Sequence, residues 1–569
     1  MRPRTRRLAH WTGALATCIA IVGVTSTPAR ATAFVSLQAS GSSWAGPAID
    51  QWSRDVKPRG ISINFSANGS QAGRSAYTVN QADFAASDIA FITADNPDPF
   101  GGGSEFSQYA YSYIPIVAGG TSFLYNLVVG GKRITNLRLS GDTIAKIFTG
   151  QITNWSDARI TKDYGMRLPG KHISVITRAD GSGASYMFTR WLWKQYGRQW
   201  ATFCHDHQGA GACGPTEFYP GFSGSIQRNG SDQVANYINS KGIGEGSIGY
   251  DEYAYAKLSS IPVVKVLNRA GYYALPTDSN VAIALQSAVI DENPNSVTFL
   301  MQNLDHVYTN SDPRAYPVSS YSYLIVPRAS RVINGTTYLP PPRFKGDSDK
   351  NGKDDKGETL STWLNYVLCG AQQKAGALGY SPLPKNLVVG GFHQEAYIPG
   401  HIAIPDQKQL NGCNNPTYSN GVNLLIKKAP LPSKCDKVGA PLTCGTGGGG
   451  GGGSSGGSGS GGSGAGSGSG GNGSAGGGGS GSGGAGNAGA GTKSSAASNK
   501  IDPDTGKQIT AQDGGATNDA VGAVPVSLSG HPGGSPVFAV LTALELVAAV
   551  LVPTLLGAYL HRRRRAGSP

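Results

Sequence analysis

The sequence predicts an α/β fold built as two lobes, and three observations carry that expectation. Residues 34–444 make a stretch too long for one ordinary hydrophobic core. Short alternating strands within it are followed by amphipathic helices. Three strand-to-helix turns are made of glycine and small or hydroxyl residues, the arrangement that places ligands at the carboxyl ends of α/β strands.

In chain order, Val35–Gln38 reads as a strand, "ASGSSWAGP" (39–47) as its loop and Ala48–Asp55 as a helix. "ISINFSA" (61–67) alternates polar and apolar residues as a half-buried strand does, and "ANGSQAG" (67–73) follows it. Asp142–Phe148 has helical spacing. "HISVITR" (172–178) is a strand, "RADGSGAS" (178–185) its loop and Gly183–Tyr196 the next helix. "SYSYLIVP" (320–327) is a strand ended by Pro327, and Glu358–Leu368 a further helix.

The two ends of the chain carry targeting signals. Residues 1–33 have an arginine-rich start, an apolar stretch near 15–24 and small residues for cleavage after Ala31 or Ala33, the pattern of a signal peptide. Leu15-Ala16-Thr17-Cys18 lies inside the apolar stretch and is a poor lipidation box. At the other end, residues 536–560 hold a long apolar run with one acid, Glu545, and about 20 apolar residues suffice to span a bilayer. Arg562, Arg563, Arg564 and Arg565 follow in the tail 561–569, which places that tail in the cytoplasm and the rest on the extracellular face of the cell membrane, anchored by one transmembrane helix. Residues 445–535, largely Gly, Ser and Ala, bury too little apolar surface to order and form a flexible linker. A coil of about 90 residues spans roughly 50 to 60 Å.

Nine of the +13 formal charges are arginines of the leader and the tail, and no basic cluster remains that would suit nucleic acid. Cys18 leaves with the leader. The other six cysteines suit disulfides in an exported chain, and pairing in sequence order (204 with 213, 369 with 413, 435 with 444) closes the shortest loops. A zinc site is the rival reading, but no CxxC pair is present and histidine is sparse.

The chemistry lies in the three loops. A helix N-terminus exposes unpaired N–H groups and a positive dipole end, and glycine lets an anion approach closely. Arg178 offers a planar fork to two oxygens of a tetrahedral anion. Asp88, in "ADFAASD" (82–88), fits beside an anion only if that anion carries a proton. Hydrogen phosphate carries one and sulfate does not, so an aspartate there rejects the wrong ligand. The plainer alternative makes Asp88 a turn cap and Arg178 only a partner of Asp180.

Several stretches together resemble one family. "GSSWAGPAIDQW", "INFSANGSQAG", "ADFAASD", "TRADGSGASYMFTRWL", "GSIGYDEYAYA", "YPVSSYSYLIVP" and "GALGYSPLPKNLV" occur in order across residues 36–390 and resemble the phosphate-binding proteins of phosphate ABC importers, the PstS family. The resemblance implies a type II periplasmic-binding-protein fold. Lobe 1 would comprise residues 34–121 and 256–444 and lobe 2 residues 122–255, with crossings near Gly119–Asn126 and Tyr250–Ala256. It implies inorganic phosphate as ligand, an ABC permease as partner and no enzymatic activity.

Carried over residue by residue, the family's contacts fall on Ser43, Trp44, Ser70 and Asp88, and on Arg178, Ser182, Gly183 and Ala184, with Asp180 as the arginine's partner. Ser43 stands for the family's frequent threonine and Trp44 for phenylalanine. Ala184 replaces a hydroxyl residue and donates only through its backbone, which predicts a retuned affinity. Gln71-Ala72 alters the second loop.

Outside the family pattern, "DSDKNGKDDKGE" (347–358) fits the EF-hand loop D-x-[DN]-x-[DN]-G-x5-E. Asp347, Asp349, Asn351, Lys353 (by its carbonyl), Asp355 and Glu358 would hold a structural calcium, with Gly352 at the turn. A solvated charged loop is the alternative. "LYNLVVGGKRI" (124–134) reads as lobe packing, and the histidines show no metal spacing. Two other functions compete with capture and delivery. A surface receptor or adhesion protein would use the same fold and tether. A phosphatase with Asp88 or Ser182 as nucleophile would need an adjacent base or metal cluster, which no motif supplies.

Overall fold

The computed structural model describes residues 34–443 except 95–96, 102, 209–212, 345–354 and 419–421. All of them belong to the first of the chain's two units. The leader, the linker, the apolar run 536–560, the tail, Cys444 and the calcium-type residues Asp347 to Lys353 lie outside the described residues. Among the described residues no helix is long and apolar enough to cross a membrane.

The first half of the sheet is built by strand, loop and helix in alternation. Strand β1 (Leu37–Gly41) leads into helix α1 (Gly46–Val56), and β2 (Ile63–Ser66) into α2 (Ser70–Thr78). Strand β3 (Phe84–Ser87) follows. β1 pairs in parallel with β2 and with β3. β1 begins and ends later than its alternating pattern suggested, and Ala39, Ser40 and Gly41 belong to the strand and not to its loop. Pairing on both edges draws them in, with Ala39 opposite Phe65 on one side and Phe84 on the other. Gly41 has φ 140°, and a Cβ there would lie 2.0 Å from the Ala86 carbonyl oxygen, so only glycine lets the strands meet so closely.

Strand β4 (Tyr111–Asn126) is the spine of the molecule. Fifteen of its sixteen residues are buried, which explains a near-continuous apolar run where a half-exposed strand would alternate. Helix α3 (Gly141–Phe148), strand β5 (Ser174–Arg178), helix α4 (Gly183–Gln195), strand β6 (Ser225–Arg228), helix α5 (Gly230–Asn239), strand β7 (Ser247–Glu252) and helix α6 (Tyr253–Ser259) follow. Strand β8 (Ser319–Pro327) and helix α7 (Asp355–Leu368) come later in the chain.

The strand order is β2-β1-β3-β8-β4-β7-β5-β6. β4 pairs with β8 up to Gly120 and with β7 from Thr121, both antiparallel, so a single strand runs through both halves. β7, β5 and β6 continue in parallel. The β8–β4 register slips between Ser322 and Tyr323, where Pro115 stands in β4. A proline cannot donate to the ladder, and strands carry it at such bulges.

Two segments expected in lobe 1 pack with lobe 2. Lys265–Leu267 pairs with Arg138–Leu139, and the Tyr125 N–H donates to the Pro262 carbonyl. Arg138 donates to the carbonyls of Cys435 at 2.6 Å and Ala440 at 2.5 Å, and Lys265 pairs with Asp436 at 2.8 Å. These contacts join elements far apart in sequence, which local pattern does not encode.

Cys204 is bonded to Cys213 and Cys369 to Cys413. Cys435 is disulfide-bonded too. Helix α7 starts at Asp355, so Glu358, half-buried, lies within its first turns. Lys356 and Arg343, on either side of residues 345–354, both pair with buried Asp83, at 2.6 and 3.6 Å.

Candidate functional site

Four loops converge at the carboxyl ends of β1, β2, β3 and β5, where an α/β sheet presents ligands to helix N-termini. β1 delivers Ser42, Ser43 and Trp44. β2 leads to Ser70, the first residue of α2, and β3 ends beside Asp88. From the other lobe, β5 ends in Arg178, and Ser182 caps α4 by accepting the Ser185 N–H at 3.3 Å. Ser43, Trp44, Ser70, Asp88, Arg178, Ser182 and Ala184 are each no more than 2% exposed.

Asp88 collects hydroxyls. Its Oδ1 accepts Ser322 at 2.7 Å and Ser42 at 2.8 Å, and its Oδ2 accepts Ser42 at 2.9 Å and Ser70 at 3.2 Å. Burial pushes the carboxyl above its usual range, against the pull of the Ser322, Ser42 and Ser70 hydroxyls and the Arg178 charge. Gly183 packs directly on this cluster. A Cβ there would stand 2.5 Å from Ser70 Oγ and 2.6 Å from Asp88 Oδ2, so the two lobes meet at this glycine and any side chain would part them.

Arg178 is paired and aimed. Its Nε donates to Asp180 Oδ1 at 2.8 Å and one terminal nitrogen donates to Asp180 Oδ2, a bidentate grip that fixes the guanidinium plane. The terminal nitrogens also reach Ser43 Oγ at 2.9 Å and Ser231 Oγ at 3.2 Å. Ser43 and Ser231 hydroxyls lie 3.0 Å apart, and the Ser231 N–H donates to Ser43 Oγ at 3.2 Å. Asp180 in turn accepts the Gly230 N–H at 2.9 Å, which ties the arginine's partner to the start of α5. Trp44 is held by its backbone, its carbonyl accepting Tyr380 OH at 2.6 Å.

The structure therefore brings together Ser43, Ser70, Asp88, Arg178, Asp180, Ser182 and Gly183, with Trp44 and Ala184 beside them on the same loops. It adds four residues. Ser42 and Ser322 hydrogen-bond Asp88, and Ser231 bonds Arg178. Asp251 is fully buried, with Oδ1 accepting the Glu252 N–H at 2.8 Å. Burial pushes its carboxyl up to about 7, although Arg178 and the Ser231 hydroxyl favour the ionised form. Ser42 and Ser322 stood inside recognisable stretches. Ser231 follows a strand and a Gly, the same local signal as the other loops. Asp251 had no signal beyond its acid in an apolar strand.

An array of hydroxyls, helix-start N–H groups and one arginine fixed by Asp180, with Asp88 as the carboxylate among the hydroxyls, suits a small tetrahedral anion that retains a proton. Known proteins match the chain in sequence and in structure. A family model described as a PBP superfamily domain matches residues 25–338. The phosphate-binding protein PstS of Xylella fastidiosa (strain Temecula1 / ATCC 700964) is 29% identical over 367 residues, covering 63% of this chain and 85% of that protein. PstS of Pasteurella multocida (strain Pm70) is 32% identical over 267 residues, 46% of this chain and 70% of that protein. Among solved structures, the phosphate-binding protein of Stenotrophomonas maltophilia aligns at 18% identity and a TM-score of 0.43, covering 68% of this chain and 99% of that one.

Proposed function

The chain belongs to the PBP superfamily and, within it, to the PstS family of phosphate-binding proteins, and we propose that it captures inorganic phosphate between its lobes outside the cell and delivers it to an ABC permease. One observation supports this most: the meeting of Ser43, Ser70 and Asp88 with Arg178, Ser182 and Gly183 across the lobe boundary. In this reading Arg178, locked by Asp180, takes two anion oxygens. The N–H groups of Trp44, Gly183 and Ala184 and the hydroxyls of Ser43, Ser70 and Ser182 take the rest. Asp88 accepts the phosphate proton, and a fully deprotonated sulfate meets its charge instead.

Export by the leader and tethering through residues 445–535 to a membrane helix at 536–560 keep the lobes near the permease. A structural calcium would be held by Asp347, Asp349, Asn351, Lys353, Asp355 and Glu358, with Glu358 in the first turns of α7 closing the loop. No step of phosphate capture passes through that ion.

Calorimetric titration of the purified chain with phosphate tests the reading. Saturable binding that Arg178→Ala abolishes supports it, and an absence of binding by the unaltered chain overturns it.

A further inference from the structure

Arg74 and Glu217 are buried side chains that belong to opposite lobes and touch each other. Arg74 lies on α2 four residues after Ser70, on the same face of the helix, and is fully buried. Its Nε and one terminal nitrogen grip Glu105 of its own lobe at 2.7 and 3.0 Å, and the other terminal nitrogen donates to Ser87 Oγ at 3.0 Å. The nitrogen shared with Glu105 also donates to Glu217 Oε1 at 2.6 Å, across the lobe boundary.

The backbone of Glu217 and its neighbour Thr216 ties the two lobes to each other. Glu217 accepts the N–H of Ser182, the cap of α4, on its carbonyl at 3.0 Å. Its own N–H donates to Asp98 Oδ2 at 2.7 Å, and neighbouring Thr216 donates its hydroxyl to Asp98 Oδ1 at 2.5 Å, both again reaching lobe 1. Thr216 is anchored in lobe 2 through Thr189 of α4, whose hydroxyl donates to its carbonyl at 2.8 Å. One short segment thus binds lobe 1 through Arg74 and Asp98 and lobe 2 through the starts and turns of α4.

We propose that Glu217 and Arg74 are positioning residues for phosphate capture: a clasp, outside the anion site, that holds the lobes closed and sets the Ser182 N–H. The proposal rests on the phosphate-binding reading. Arg74 needs one anionic partner and has it in Glu105. Glu217 then serves as an oxygen acceptor, and a neutral carboxyl suffices. The groups facing it agree: burial pushes Glu217 up to about 7, with Arg74 opposing and Glu105 and Asp98 reinforcing. Opening the lobes exposes the carboxyl to water and returns it toward its usual value near 4.5. Closure therefore takes up a proton between those values, and the closed state weakens as pH rises through about 7.

The test follows phosphate binding and release by the full exported chain, using stopped-flow tryptophan fluorescence. Glu217→Ala leaves Arg74 a partner short. Its phosphate koff rises roughly 30-fold or more with kon little changed, as expected for loss of a buried hydrogen bond to the Arg74 guanidinium. Glu217→Gln keeps the acceptor oxygen and restores koff to within about threefold of the unaltered chain. The ratio of the unaltered chain's koff to that of Glu217→Gln rises from pH 6 to pH 8, which cancels the titration of phosphate itself. Unchanged koff in Glu217→Ala overturns the proposal. Should Glu217→Ala fail to fold, Arg74→Met is expected to show the same fast release, and normal release overturns the proposal equally.

If the unaltered chain binds no phosphate, the phosphate reading fails and the clasp is still decided. Spin labels at Lys57→Cys and Lys162→Cys, one exposed site on each lobe, then report the interlobe distance without ligand. A longer distance in Glu217→Ala sustains the clasp, and an unchanged one removes it.

Discussion

Ser322 donates its hydroxyl to Asp88 Oδ1 at 2.7 Å across 234 residues of sequence. The contact joins β8, a strand from late in the chain, to the acid expected to recognise the ligand's proton. It forms where the β8–β4 register slips, next to Ser322. A local irregularity in the sheet thus aims a hydroxyl at the site.

Ser322→Ala removes one of the donors that hold Asp88 ionised. The carboxyl then rises further, and phosphate affinity falls by about tenfold to a hundredfold, the worth of one hydrogen bond to a charged group. The loss is larger at pH 6 than at pH 8, because protonated Asp88 no longer accepts the phosphate proton. Calorimetry at the two pH values checks both the size and the direction.

Gly183→Ala drives a methyl group into Ser70 Oγ and Asp88 Oδ2, neither of which lies on a flexible chain end. Overpacking of this kind costs about 1–3 kcal/mol. Because the collision spans the two lobes, it is relieved by opening them. Phosphate binding is expected to fall more than tenfold while thermal stability measured without phosphate changes little. A variant that binds normally would show that the lobes close less tightly here.

Asp251 and Glu395 are buried carboxyls pushed up to about 7 and about 8, chiefly by burial. Both bind protons more tightly folded than unfolded, so stability falls as pH rises from the unfolded value toward the folded one and levels off above it. Asp251→Asn removes one such group. Guanidinium denaturation between pH 5 and pH 8 is expected to show a shallower decline in the variant, by about 1–2 kcal/mol across that range. Parallel curves would place Asp251 outside this linkage.

The bond between Cys369 and Cys413 spans 44 residues and ties the residue after α7 to the segment at Cys413. Removing it as the double variant Cys369→Ser/Cys413→Ser should cost about 2–4 kcal/mol of stability. A chemical denaturation curve reads this directly. A midpoint unchanged from that of the unaltered chain would show that the link adds nothing to the fold.

Much of the site was readable because its signals are local. "RADGSGAS" puts strand end, arginine and helix cap within eight residues, and β5 and α4 start and stop close to where the pattern places them. The shifted ends of β1 were not readable, since pairing on both edges decides them. Ser231 carried the strand-and-glycine signal, but its contact with Arg178, 53 residues away, and that of Asp251 arise only through the fold. Arg74 and Glu217 are 143 residues apart, and each looks like an ordinary surface charge until the lobes bury it. The packing of residues 261–274 and 434–442 on lobe 2 depends on Arg138 and Lys265 meeting distant carbonyls and Asp436. No periodicity announces such partners.

Asp88 stands at the centre of this account as the group that tells phosphate from sulfate. The most direct test is calorimetry with both anions, on the unaltered chain and on Asp88→Asn, at pH 8. The unaltered chain is expected to bind phosphate and give no heat with sulfate, while Asp88→Asn loses phosphate affinity and narrows the gap between the two anions. Equal binding of sulfate and phosphate by the unaltered chain, or a preference unmoved by Asp88→Asn, would contradict it.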